Sequence, residues 1–101
     1  MDLEYFKDKI ADELCGSKEY IINAMELKAM DLAWSKTLAN MSEMELEHAS
    51  NLQKMANDYY NRISKAYTTV PEYMVQMKKE INNNYSTCMT EIKWLHEAYN
   101  K

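Results

Sequence analysis

The heptapeptide Lys28-Ala-Met-Asp-Leu-Ala-Trp34 decides the fold, because two long stretches of helical periodicity meet in it without a Gly or Pro to separate them. Asp31 is its best helix start, since an aspartate carboxylate accepts from the free amides of a new first turn. A rival start uses Ser42 with Glu45 as a capping box. The apolar period already runs before Ser42, so the spacing favours Asp31. A turn near residue 30 makes the first two-thirds of the chain an antiparallel hairpin. A chain of 101 residues with one Gly and one Pro has few turns to offer. Its abundant Leu, Met, Ala, Glu and Lys favour long helices. The expected class is therefore all-α, a long helical hairpin followed by a third long helix in a single domain, 1–101.

On the N-terminal side of the turn, helix A is predicted over about 3–28. Leu3, Phe6, Ile10, Glu13, Ser17, Tyr20, Ala24 and Leu27 recur in steps of three and four, and Leu14 and Ile21 widen the stripe. Gly16 costs about 1 kcal/mol relative to Ala inside a helix and marks a close helix contact. On the other side, helix B is predicted over about 32–67, with the stripe Trp34, Leu38, Met41, Glu45, His48, Leu52, Met55, Tyr59, Arg62 and Ala66. Pro71 suits the first turn of a third helix and a preceding threonine can cap it. Helix C is predicted over about 71–99, its stripe being Met74, Met77, Ile81, Tyr85, Cys88, Ile92, Leu95 and Tyr99. Asn82, Asn83 and Asn84 weaken its middle without interrupting that stripe. Trp34 and Trp94 are expected to anchor packing, and His96 to lie at a surface or interface.

Composition removes several classes of function. Hydrophobic residues make up 47% and charged ones 28%, a globular balance. The net charge of −4 and the lack of a basic patch argue against nucleic acid and anionic membranes as partners. No apolar run approaches the roughly 20 residues that span a bilayer, and the acidic, amphipathic N-terminus is unlike a signal peptide. Cys15 and Cys88 are expected to be buried free thiols, with the cytoplasm as compartment. There is no Ser-His-Asp or Cys-His nucleophile set and no Gly-rich phosphate loop. Nine methionines suggest an adaptable core or an apolar partner surface.

Against that background Glu13, Glu45 and His48 stand out, ionisable groups inside apolar stripes. Glu45 and His48, three apart, share a helix face. In a hairpin turning near residue 30, all three fall within about one turn of the same level at roughly 1.5 Å rise per residue. Two buried carboxylates side by side are costly unless protonated or met by a cation. Carboxylates and a neutral imidazole are good ligands for iron, manganese or zinc. The competing interpretation is a metal-free buried ion pair of Glu13 and His48 that fixes register. Glu19, off the main seam, is the weaker helix-A ligand.

The segments Asp12-Glu-Leu-Cys-Gly-Ser-Lys-Glu-Tyr20 and Ser42-Glu-Met-Glu-Leu-Glu-His-Ala-Ser-Asn-Leu52 resemble the first hairpin of ferritin-like proteins, rubrerythrins and encapsulated ferritins in particular. The resemblance covers residues 5–60. It rests on Glu13 with Tyr20 seven positions on, and on Glu45-x-x-His48 followed by Ala49. It implies an iron-binding protein, a possible ferroxidase. Glu45 would bridge two irons, Glu13 and His48 would be terminal ligands, and Tyr20 would relay an electron or donate a supporting hydrogen bond. Helix C carries no second Glu-x-x-His and there is no fourth helix, so one chain offers only half of a di-iron ligand set. The resemblance therefore implies a homodimer or higher oligomer completing the bundle and the site, with an encapsulating shell or another protein as further partner. The alternative function is a non-enzymatic helical interaction or scaffold protein, of phage or mobile-element type, that keeps the hairpin without metal. A third is a regulator binding an amphipathic helix through its Met-rich face.

Overall fold

The computed structural model describes residues 1–101 and consists of three helices, α1 Leu3–Leu27, α2 Leu32–Ala66 and α3 Glu72–Tyr99. Asp2 starts α1, its carboxylate accepting from the Tyr5 amide at 2.9 Å. Asp31 starts α2 in the same way, accepting from the Trp34 amide at 3.0 Å. The helix therefore begins at Asp31 and runs unbroken through Ser42, which rules out the rival start. α3 differs from expectation at its cap. Pro71 occupies the N-cap position with no side-chain hydrogen bond, so no threonine caps it. The three asparagines do not break α3, which continues to Tyr99.

Cross-helix contacts fix the arrangement. Ser17 meets Ser42 and Ala24 meets Ser35, so α1 and α2 run antiparallel. Lys7 pairs with Glu80 and Lys18 with Glu91, a constant offset that makes α1 and α3 parallel. Gln53 meets Asn82 and Lys78 meets Asn57, so α2 and α3 are antiparallel. The result is a rod, 58 × 19 × 15 Å.

One helix is turned relative to its sequence reading. The buried residues of α2 are Ser35, Ala39, Ser42, Ala49 and Ala56. Each is one position beyond a member of the expected stripe, a rotation of about 100°. Small residues on this face let the backbones of α1 and α2 approach closely, and the serines satisfy themselves locally. Ser17 Oγ lies 2.9 Å from Ser42 Oγ, Ser42 Oγ lies 2.7 Å from the Ser17 carbonyl, and Ser35 Oγ donates to the Ala24 carbonyl at 2.6 Å. Two bulky residues of the expected stripe are consequently turned outward, while Leu38, Leu52 and Tyr59 stay partly buried against the core. Trp34 and Met55 are exposed, and so is Trp94 on α3, so neither tryptophan is a packing anchor. α1 buries Leu3, Phe6, Ile10, Leu14, Ser17, Ile21 and Ala24, so Leu14 and Ile21 hold the centre and Glu13 and Tyr20 the flank. The α3 stripe stands: Met74, Ile81, Ile92 and Tyr99 are buried. Only one methionine, Met74, is in the core, while Met25, Met30, Met44 and Met55 are exposed. No helix is long and apolar enough to cross a membrane.

Candidate metal centre

Glu13 sits near the middle of α1, where the hairpin places Glu45 and His48 of α2 at the same height. Donor atoms of the three residues all lie within 4.8 Å of one another. His48 Nδ1 is 3.5 Å from Glu13 Oε2 and 3.8 Å from Glu45 Oε1. Ligands held at about 2.0–2.2 Å from one ion are separated by roughly 3–4 Å, so these two spacings suit a shared cation. The site lies on the flank of the α1–α2 seam rather than inside it. The Glu13 and Glu45 side chains are 25% and 28% exposed and that of His48 is 53% exposed. The expected inward histidine is therefore at the surface of the single chain, a consequence of the rotation of α2.

Electrostatics make the cluster uneasy without a cation. Glu13 Oε2 is buried and has no hydrogen-bond partner. The neighbouring Glu13 carboxyl, to which a protonated Glu45 can donate, pushes the Glu45 carboxyl above its ordinary range. Burial adds to this, and His48 opposes it. Gly16 completes the pocket wall. A Cβ there would stand 3.3 Å from Glu45 Oε2, so the absent side chain is what makes room for that carboxylate. Tyr20 is half-buried and has no hydrogen bond to any of the three. Two carboxylates, one with a buried oxygen that lacks a hydrogen-bond partner, and an imidazole make a donor set that could hold a metal ion.

A second histidine is placed differently from its expected position. His96 is largely buried, and its Nε2 lies 2.8 Å from Ser42 Oγ, tying α3 to the serine layer. Burial lowers its pKa, and Glu43, whose carboxylate is 3.9 Å from Nδ1, partly opposes that. The sequence did carry a signal, since His96 follows Ile92 by four residues and precedes Tyr99 by three. Ser42 and His96 are hydrogen-bonded like a nucleophile and base, but Ser42 is fully buried and no substrate can reach it. The thiols also depart from expectation: Cys15 is exposed and Cys88 half-buried. A cavity of about 350 Å³ at the far end of the rod, walled by Tyr59, Tyr67, Pro71 and Met74, includes none of the three ligands.

Searches against protein-family models, characterised proteins and solved structures find no match to this chain.

Proposed function

We propose that this chain is a ferritin-like metal-binding protein that holds a divalent transition metal, iron foremost, through Glu13, Glu45 and His48. The observation that carries the reading is the convergence of donor atoms of Glu13, Glu45 and His48, with a buried Glu13 oxygen that accepts no hydrogen bond. A second copy completes the site. Three protein ligands leave an ion with open positions, and α2 presents Trp34, Met55 and the His48 edge on one outward face. The surface of the single chain, 6748 Å², exceeds the roughly 6,000 Å² expected for a folded monomer of this mass. Covering that face in a two-fold dimer would bring two half-sites together. Bound iron would supply the redox chemistry. The chain's own residues set the charge, with two carboxylates to neutralise the ion and a surface imidazole open to exchange.

The metal-free reading, a scaffold in which His48 and Glu13 form an ion pair, draws on the same 3.5 Å contact. The two are separated by titrating tag-free protein with Fe(II) under anaerobic conditions while following its mass by sedimentation equilibrium. The expected result is about one iron per chain in a dimer, with binding lost in Glu45→Ala and His48→Ala. Failure of the wild-type chain to retain iron, manganese or zinc would establish the scaffold instead. If metal is bound, ferrous oxidation faster than the buffer blank would make the protein a ferroxidase.

A further inference from the structure

The flank between α1 and α3, on the other side of α1 from the metal ligands, carries a second constellation. Two ion pairs cross it, Lys7–Glu80 at 3.0 Å and Lys18–Glu91 at 2.7 Å. Both join residues 73 apart in sequence, and so do the two cysteines. Cys15 lies eight residues after Lys7 and three before Lys18, and Cys88 lies eight after Glu80 and three before Glu91. In parallel helices held at that offset, the two thiols stand at the same height between the two ion pairs. Both line one groove of about 300 Å³, together with Lys18 and Asn84.

We propose that Cys15 and Cys88 are a redox-controlled modification site, closing to an intramolecular disulfide that ties α1 to α3 when the protein meets a peroxide. A disulfide needs Cα atoms within about 7 Å. Equal register removes the axial part of their separation, and the open groove leaves room for lateral closure. The two thiols have distinct roles. Cys15 is the exposed thiol, one turn from Lys18, and is the one a peroxide reaches first. Cys88 is half-buried and donates its S–H to Asn84 Oδ1 at 3.5 Å, so it is the second thiol to react. The Cys15 thiolate attacks one peroxide oxygen and becomes a sulfenic acid, and the departing hydroxide takes up the thiol's proton as water. Cys88 then loses its proton and attacks the sulfenic sulfur, and the hydroxyl leaves as a second water. Two thiols are oxidised, one peroxide is reduced to two waters, and one S–S bond forms.

The test treats the full chain, with a chelator present to exclude bound metal, with a small excess of hydrogen peroxide. Intact mass and non-reducing gels follow the products. The expected result is a monomer that has lost two hydrogens, runs faster on the gel, melts at a higher temperature and reverts with a thiol reductant. Cys15→Ser and Cys88→Ser should each abolish that species. A monomer that gains oxygen without losing two hydrogens, a product crosslinked only between chains, or unmodified thiols would each overturn the proposal. Because metal is excluded, none of these outcomes bears on the metal site.

Discussion

At the scale of single residues, Glu45 sets folding against binding. Its carboxyl pKa is raised above the ordinary value by Glu13 and by burial. A group whose folded-state pKa is raised holds its proton more tightly in the folded chain. In the metal-free protein, stability should therefore rise as pH falls from the folded pKa towards the unfolded value of 4.5. Above the folded pKa, the two adjacent carboxylates work against the fold. Glu45→Gln keeps the shape and removes the charge, so at neutral pH the metal-free variant should melt a few degrees higher; about 1 kcal/mol corresponds to roughly 4–8 °C in a domain of this size. The same variant should lose most of its metal affinity, which calorimetric titration would show. His96 acts in the opposite sense. Burial lowers its pKa, so its contribution is complete above the unfolded value of 6.5 and is lost as pH falls from there to the folded pKa. Urea midpoints measured across that window should drop with acidification in the wild type and drop less in His96→Gln.

At the scale of elements, Gly16 trades helix propensity for room at the site. Gly16→Ala gains up to about 1 kcal/mol of helix propensity, and its Cβ meets only the mobile end of Glu45, at 3.3 Å. Urea unfolding should show a more stable metal-free protein, while displacement of the Glu45 carboxylate weakens metal binding. Asp31 decides where the hairpin turns, and Asp31→Ala should cost about 1 kcal/mol in the same assay. These elements also show what the sequence made legible. The predicted helix bounds lie within about a residue of those found, because Asp31 and Pro71 are local signals that need no knowledge of packing. The level meeting of Glu13, Glu45 and His48 followed from the turn and the helical rise. The inward face of α2 was not legible. Periodicity weighted by side-chain size selects Trp34, Met41 and Met55, whereas close approach of two backbones selects Ser35, Ser42 and Ala49, and both patterns have the same period. That rotation by one residue is also why His48 is more exposed than its stripe position suggested.

At the scale of the whole molecule, the outward face of α2 leads to a prediction about assembly. If a second copy covers it, sedimentation equilibrium of the wild type should give twice the 12.0 kDa chain mass. Met55→Asp, a charge in the middle of that face, should weaken self-association at least tenfold and leave the melting of the isolated chain nearly unchanged, since Met55 is exposed. An equally tight dimer in the variant would place the interface elsewhere.

The lengths of the helices have their own consequence. α2 has 35 residues and α1 has 25. With Ser17 level with Ser42, Leu3 stands beside Ala56, and the last ten residues of α2 project about 15 Å past the start of α1. Along that projection the rod is only two helices thick. Amide protons there should exchange with deuterated solvent sooner than those beside Ile21 or Ile92, so the chain should open from its narrow tip while the serine layer is still closed.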